Sequence, residues 1–398
     1  MKLTAPELSV DGESARLTAR LESRSGGTET LWYEFGADLA GHVTTDRLDG
    51  LAVAALLVVI ERGERELFVE GAVSERLLFS LQRQLLPILR LAMPGLGPLT
   101  IGAASVDASG QSAGHGVATG FAGGIDSFHT IAEHGGPDAP PGYRLSHLLF
   151  LNVGSHGRGA GGRKIFEDRW RMVRDWGGPL GLEIVRVDSN LSDLLKTGFE
   201  QLLLPRIASA VLCLQGLLSK YLISSSHHLR DTRIGETRDI TYADAATVHL
   251  FSTERLETVL VGADQTRVEK TRRVAALPAA RHMLNVCINP LPGGRNCSSC
   301  YKCLRTLATL DLLGELDKFD GVFDIDSFRT FSGRGQYLLL LRGRSDDRFI
   351  REIYELTRQP GVHVPAHVSA FHAAWPVVGL PWRAARSLKR WWVGPSAH

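Results

Sequence analysis

Residues 122–127, AGGIDS, combine glycines with polar side chains in a pattern that suits phosphate binding. They follow an apolar, strand-like run and precede a helix-like segment. Gly123 and Gly124 let the backbone turn sharply and approach a ligand closely, because neither residue has a Cβ atom. The first N–H groups of the helix have no intrahelical partners and lie at the positive end of its dipole, which favours an anion.

Asp126 has two alternative roles in this pattern. Its carboxylate is a candidate ligand for a Mg²⁺ ion that bridges phosphates. A tight strand-to-helix turn capped by the same carboxylate explains the spacing equally well. The spacing alone leaves both interpretations open.

Four of the five cysteines lie in one short segment with the spacing C-x9-C-x2-C-x2-C, namely Cys287, Cys297, Cys300 and Cys303. Two-residue spacers let neighbouring thiolates bind one tetrahedral ion, and in a reducing compartment such a cluster indicates a metal rather than disulfides. Four thiolates fill the coordination shell, which predicts a structural Zn²⁺ ion. An iron–sulfur cluster and four metal-free thiols are the alternatives. Cys213 lies in an apolar segment and is expected in the core.

The elements around these residues alternate between strand and helix from about residue 115 to 315. The strand-like segments are residues 116–121, 145–153, 182–190 and 221–226, and the helix-like segments begin at Ser127 or cover residues 166–176 and 206–221. Such alternation predicts a parallel sheet with helices on both faces. Ligands bind beyond the carboxyl ends of strands in this architecture, where the glycine turn, Asn152 and Asp188 all lie.

The N-terminal region reads as short strands followed by one helix. Residues 15–21 and 66–73 have strand-like patterns. Ser74 is the expected N-cap of a helix that ends near Pro94. The longest apolar run, residues 51–60, is too short to cross a bilayer and is expected in the core.

The C-terminal region has a strand-like segment at residues 336–343, then a helix and a basic, aromatic segment at residues 379–392. The aromatic segment is expected to pack on its own domain. The net charge of +2 over 398 residues gives no strong field toward DNA. Neither a secretory signal nor a membrane span is expected, so a cytoplasmic location is predicted.

The AGGIDS stretch resembles the SGGxDS pyrophosphate loop of the N-type ATP pyrophosphatases. The spacing and position of the cysteines are similar to those of 7-cyano-7-deazaguanine synthase and its relatives within that superfamily. The segment LLPRIAS resembles their Pro-x-Arg-Asn helix start, with Arg206 in place, and residues 260–275 resemble a T-K-x-E-I segment through Thr266 and Lys270. The resemblance covers about residues 115–312.

This resemblance implies a doubly wound parallel sheet of the adenine nucleotide alpha hydrolase-like type, with a four-cysteine zinc element and extra terminal regions. It implies cleavage of ATP to AMP and pyrophosphate, with AMP attached to a carboxylate or amide oxygen that a nitrogen nucleophile then attacks. ATP, Mg²⁺ and Zn²⁺ are the implied cofactors. The implied domains are an N-terminal α+β accessory domain (1–112), the pyrophosphatase domain with its zinc site (113–315) and a C-terminal accessory region (316–398).

The resemblance also assigns roles to individual residues. The implied nucleotide-binding residues are Ala122, Gly123, Gly124, Ile125, Asn152 and Asp188, and the implied catalytic residues are Asp126, Ser127, Arg206 and Lys270. Ala122 departs from the family pattern because it lacks the serine hydroxyl, a loss worth roughly 1.5–3 kcal/mol for a hydrogen bond to a charged group. Ile207 departs as well, since the family has Asn there.

Two other functions stay open at this stage. A sulfur-transferring relative would need a persulfide on a reactive cysteine, and only Cys213 lies outside the proposed zinc site. The Ala122 departure also allows a nucleotide-binding module without activity. The expected acceptor is a small molecule, peptide or protein, and a partner protein or a homodimer is left open.

Two further features have functional and structural interpretations. His227, in the segment after the fourth strand, is a candidate general base or simply a hydrogen-bonded loop residue. Residues 154–164 are rich in glycine and are a candidate lid over phosphates or a solvated loop.

Overall fold

The computed structural model describes residues 1–110, 114–330, 347–362 and 364. The chain divides into two compact units, Met1–Asn296 and Cys297–His398. The strand predicted at residues 336–343 and the basic, aromatic segment 379–392 lie outside the described residues. The three-part domain division stays a prediction.

The first unit contains one sheet of eleven strands. The strands are β1 (Lys2–Leu3), β2 (Glu7–Asp11), β3 (Ser14–Glu22), β4 (Thr28–Gly36), β5 (Glu66–Ser74), β6 (Thr100–Asp107), β7 (Gly116–Gly120), β8 (His147–Leu151), β9 (Glu183–Ser189), β10 (Leu218–Ser224) and β11 (Glu257–Val261). Their spatial order is β11-β10-β7-β8-β9-β4-β3-β1-β5-β6, with β2 paired to β3.

The five strands from β7 to β11 are all parallel and confirm the predicted α/β class with a mostly parallel central sheet. Numbered by their order along the chain, they lie in the spatial order 3-2-1-4-5, which is that of a doubly wound sheet. The direction of winding therefore reverses between β7 and β10. This reversal is the position where such sheets bind ligands.

Burial patterns explain why the two halves of the sheet differ. The three central residues of β7 and of β8 are buried in succession, as in strands covered on both faces. In β3, buried residues alternate with more exposed ones, as in a strand with one solvated face. The two halves join where β4 pairs antiparallel with β9, through Tyr33 opposite Ser189 and Glu34 opposite Asp188.

The α-helices connect these strands and are the main elements in the described part of the second unit. They are α1 (Asp49–Arg62), α2 (Glu75–Ser80), α3 (Leu86–Ala92), α4 (Ile125–His134), α5 (Gly159–Val173), α6 (Gly177–Leu180), α7 (Leu191–Leu194), α8 (Leu203–Val211), α9 (Asp244–Thr247), α10 (Arg267–Ala276), α11 (Ala280–Met283), α12 (Tyr301–Leu312), α13 (Ile325–Arg329) and α14 (Arg348–Leu356). None of the described helices has the length and apolar content needed to cross a bilayer.

The N-terminal region follows its sequence pattern in part, because helix α1 precedes β5 and strand β6 follows α3, whereas strands followed by one helix were predicted. The predicted apolar run lies in α1 and is buried up to Val59. The Ser74 hydroxyl oxygen accepts a hydrogen bond from the Leu77 N–H at 3.0 Å and so caps α2 as predicted. A π-helical turn joins α2 to α3, and α3 ends two residues before Pro94.

Two helix boundaries differ from the prediction. The helix expected over residues 206–221 ends at Val211, and β10 begins at Leu218. A 3-10 turn over Leu212–Leu214 follows α8, and at Gly216 a Cβ atom would lie 2.5 Å from the His42 carbonyl oxygen, so only glycine fits there. Helix α5 begins at Gly159, inside the glycine-rich stretch expected as a loop.

The second unit is helical in its described part. The predicted helix after residue 343 is α14, and Asp347 caps it by accepting hydrogen bonds from the Phe349 and Ile350 N–H groups. The Tyr301 hydroxyl donates to the Asp347 carboxylate at 2.5 Å, which joins the start of α12 to the start of α14.

Candidate functional site

The glycine turn lies between β7 and α4, at the reversal of the sheet. Gly123 has a φ of +76°, and a Cβ atom there would lie 3.0 Å from the Trp176 ring and 3.3 Å from the Met283 carbonyl oxygen. A side chain at this position would therefore strain the backbone and collide with its neighbours. Gly124 is the N-cap of α4 and has no side chain with which to cap it.

Positions 122 and 127 of the turn differ in their surroundings. Ala122 is exposed, so a hydroxyl at this position would reach solvent or a ligand. Ser127 is buried, and its hydroxyl donates to the Gly124 carbonyl oxygen at 3.0 Å. The Ser127 side chain therefore closes the first turn of α4.

Asp126 lies beside two cations from α10. Its carboxylate is 2.8 Å from the Arg267 guanidinium and 3.6 Å from the Lys270 ammonium. Lys270 is only 2% exposed and also donates to the Ser225 carbonyl oxygen at 2.6 Å. The structure thus brings the predicted residues Asp126 and Lys270 together.

The start of α10 is fixed by a capping box. The Thr266 hydroxyl accepts from the Glu269 N–H, and the Glu269 carboxylate accepts from the Thr266 N–H. This cap places Arg267 one helical turn before Lys270, so that both side chains lie on the same face. Sequence analysis did not select Arg267, although its spacing from Lys270 was the available signal.

Asn152 and Asp188 meet at the ends of the neighbouring strands β8 and β9. The Asn152 amide donates to the Asp188 carboxylate at 2.7 Å. The Ser189 N–H donates to the same carboxylate at 2.8 Å, and Arg163 lies 3.4 Å from its second oxygen. Both predicted residues therefore belong to one polar cluster at the carboxyl ends of β8 and β9.

Arg206 is buried next to the segment that follows β8. Its guanidinium donates to the Val153 carbonyl oxygen at 3.2 Å and to the Thr197 carbonyl oxygen at 2.7 Å. Burial lowers the pKa of Arg206 to about 10, which still leaves the side chain charged at neutral pH. Lys270, by contrast, contacts the end of β10, so the two predicted cations have different partners.

The His227 imidazole contacts side chains of the segment that follows β10. Its Nε2 atom is 2.8 Å from the Thr241 hydroxyl and 3.3 Å from the Asp239 carboxylate. The imidazole stacks on Tyr242 with a centroid distance of 4.3 Å. These contacts favour the interpretation of His227 as a hydrogen-bonded loop residue.

A cavity of about 460 Å³ lies beside α4 and the end of β11. His129, Glu133, Gly262 and Gln265 are among the residues that line it. A Cβ atom at Gly262 would lie 2.9 Å from the His129 ring and 3.4 Å from the Lys270 side chain. Gly262, which lines the cavity, therefore packs against both His129 and Lys270.

The four clustered cysteines place their Sγ atoms within 4.8 Å of one another. Zinc–thiolate bonds of about 2.3 Å in a tetrahedron separate the sulfurs by about 3.8 Å, so the arrangement fits a zinc ion. The Cys297 sulfur also accepts a hydrogen bond from the Cys300 N–H at 3.2 Å. The predicted metal-binding cluster is confirmed as a group of thiols able to hold a metal such as zinc.

No known family, curated protein or solved structure matches this chain.

Replacement of Cys300 by Ser should lower the metal content of the purified protein, because a serine hydroxyl is a poor zinc ligand. Metal analysis of the full chain measures this content. Cys213→Ser is the matched control, since Cys213 is a buried thiol outside the cluster. Equal metal content in Cys300→Ser and the wild type would contradict a metal site at the cluster.

His156 makes the stability of the chain depend on pH. Burial against Phe150 and Phe166 lowers the pKa of His156 to about 3, so the folded state favours the neutral imidazole. The stability that the neutral imidazole contributes to the folded state is complete above a pH of about 6.5 and is lost as the pH falls toward 3. Between pH 7.5 and 5, the free energy of unfolding should fall by up to about 2 kcal/mol more in the wild type than in His156→Phe.

Urea denaturation at the two pH values measures this difference. Phe keeps an aromatic ring in contact with Phe150 and Phe166, and it removes the 3.3 Å hydrogen bond between His156 Nδ1 and the Ser155 hydroxyl. An identical pH dependence in both proteins would contradict the assignment.

Proposed function

We propose that this protein is an adenylating enzyme that uses ATP to activate a carboxylate or amide oxygen for attack by a nitrogen nucleophile. One observation carries the proposal. A glycine turn follows the first strand of a parallel 3-2-1-4-5 sheet at its reversal, beside a buried lysine and an arginine. Backbone N–H groups and two positive charges suit the polyphosphate of a nucleotide.

The reaction has two steps. An oxygen of the substrate attacks the α-phosphorus of ATP, and the bond from that phosphorus to the bridging oxygen breaks, which releases pyrophosphate. The nitrogen nucleophile then forms a bond to the activated carbon of the substrate. The bond between that carbon and the oxygen that carries AMP breaks, which releases AMP. AMP is a far better leaving group than hydroxide, and this difference makes the second step possible.

The residues of this chain would act mainly by offsetting negative charge on the phosphates. Lys270 and Arg267 would offset the negative charge that develops on the leaving pyrophosphate. Asp126 forms ion pairs with both side chains, so phosphate oxygens would compete with its carboxylate for them. The Asp126 carboxylate would also hold a Mg²⁺ ion, which would supply further charge neutralisation.

Arg267 also bears on the missing hydroxyl at position 122. A charge-assisted hydrogen bond from a guanidinium is about twice as strong as a neutral one. The second cation at the turn would therefore compensate for the bond that Ala122 does not form. A phosphate site that supports catalysis is therefore favoured over a site that only binds nucleotide.

Sulfur transfer is less consistent with the surroundings of Cys213. That reaction requires an accessible thiolate. Cys213 is 2% exposed, and burial raises the pKa of its thiol. Its sulfur donates to the Ser209 carbonyl oxygen. The remaining alternative is nucleotide binding without turnover.

Pyrophosphate release separates that alternative from adenylation. The full chain would be incubated with ATP, Mg²⁺, ammonium and a panel of aliphatic, heteroaromatic and peptide carboxylic acids. We expect pyrophosphate and AMP in equal amounts, and only with particular acids. ATP binding without pyrophosphate release from any acid would support a binding module instead.

Replacement of Lys270 by Met should lower the rate of pyrophosphate release by about 100-fold, as for other removed donors that stabilise transition-state charge. The matched control is Arg273→Met, which removes a cation from the same helix whose side chain is 55% exposed. Both rates would be compared with the wild-type rate at saturating ATP. An equal effect of the two substitutions would argue against a specific role for Lys270.

Replacement of Gly123 by Ala should weaken the binding of α,β-methylene-ATP by about 10-fold or more, because the turn must move to accept a Cβ atom. Gly63→Ala is the control, since Gly63 has a similar φ of +66° but no atom within 4 Å of the added Cβ. Calorimetric titration measures both affinities. An affinity that falls equally in both variants would reflect general destabilisation and would remove the glycine turn from the binding site.

A further inference from the structure

The segment Met283–Asn285 packs against the glycine turn and is hydrogen-bonded to it. The Asn285 N–H donates to the Gly123 carbonyl oxygen at 2.6 Å. A Cβ atom at Gly123 would lie 3.3 Å from the Asn285 Cβ. Asn285 is 8% exposed. The backbone of the turn is therefore held by a residue that lies far away in the sequence.

This hydrogen bond fixes more than one atom. The Gly123 carbonyl and the Gly124 N–H belong to the same planar, trans peptide unit and point in opposite directions. Holding the carbonyl oxygen on Asn285 consequently directs the Gly124 N–H away from Asn285. In the proposed function, this N–H is one of the groups that face phosphate.

The Asn285 side chain is held in turn by the loop that contains the first clustered cysteine. Its amide donates to the Gly294 carbonyl oxygen at 2.5 Å. Asn296 closes the same loop by donating to the Leu284 carbonyl oxygen at 2.8 Å and accepting from the Val286 N–H at 3.0 Å. These hydrogen bonds thus join the residues just before Cys287 to residues that follow it in the loop.

Cys287 itself is anchored close to Asn285. It follows Asn285 by two residues, and its carbonyl oxygen accepts a hydrogen bond from Arg169 at 2.9 Å. Its sulfur belongs to the group of four within 4.8 Å. An ion held by these thiolates would restrain Cys287, and with it the position of Asn285.

We propose that Asn285 is a positioning residue that couples the metal state of the cysteine cluster to the conformation of the glycine turn. A bound metal fixes the Cys287 loop, the loop fixes Asn285, and Asn285 orients the peptide between Gly123 and Gly124. Metal and nucleotide therefore strengthen each other's binding by the same factor. The effect on nucleotide rests on the proposed function, whereas the effect on the turn does not.

Hydrogen exchange of the full chain, followed by mass spectrometry, tests the effect on the turn without any nucleotide. Removing the metal with a chelator should raise exchange in residues 122–128 by about 5-fold or more, the lower end of typical couplings between sites. Exchange in α1 should stay unchanged and serves as the control for global unfolding. Equal exchange at the turn with and without metal would overturn the proposal.

Asn285→Asp is the decisive variant, because it keeps the side-chain shape but replaces the amide donor with an acceptor that faces the Gly294 carbonyl oxygen. It should retain metal and yet show fast exchange at the turn whether metal is present or not. Asn285→Ala, which removes the donor without adding charge, should behave the same way. Asn190→Asp is the matched control, since the Asn190 amide donates to a carbonyl oxygen at Thr30. A metal-dependent turn in both Asn285 variants would overturn the role of Asn285.

The affinity for α,β-methylene-ATP gives a second readout. We expect it to fall on metal removal in the wild type and to be independent of metal in Asn285→Asp. Equal affinity with and without metal in the wild type would overturn the coupling while leaving the proposed function intact. Absence of nucleotide binding under every condition would instead refute the proposed function, and the exchange experiment would still decide the role of Asn285.

Discussion

A buried ammonium group needs compensating partners, and this need organises the centre of the first unit. Lys270 is almost entirely buried, where an unpaired charge would be very costly. It is compensated by Asp126 at the start of α4 and by the Ser225 carbonyl oxygen just after β10. Three elements, α4, α10 and the end of β10, are therefore held together on the two sides of the sheet reversal.

Elements with strong local signals could be predicted from the sequence. Strand β7, the glycine turn and α4 have their determinants within a few neighbouring residues, and so do the Ser74 cap and the two-residue cysteine spacers. Strands β1, β2, β4, β6 and β11 were not predicted individually. The end of α8 was also placed too late, because a 3-10 turn over Leu212–Leu214 and the close approach of Gly216 to the distant His42 have no sequence signal of their own.

The candidate site divides in the same way. Asp126, Lys270, Asn152 and Asp188 were selected from motif and strand-end position, and each lies at the ligand edge. Asn285 was missed because its importance arises from packing between distant segments, whereas Arg267 was missed although it lies three residues before Lys270 on the same helix. An asparagine in a loop has no sequence signal that would identify the carbonyl oxygen its N–H will meet.

The pairing of β4 with β9 has a consequence for biosynthesis. The N-terminal strands emerge from the ribosome well before β9 does, by on the order of ten seconds at ordinary rates of translation. During that interval the backbone groups of β4 that later bond to β9 are available to other chains, and unpaired strand edges promote aggregation. A nascent chain stalled before β9 would therefore be a natural client for a chaperone that covers exposed strands.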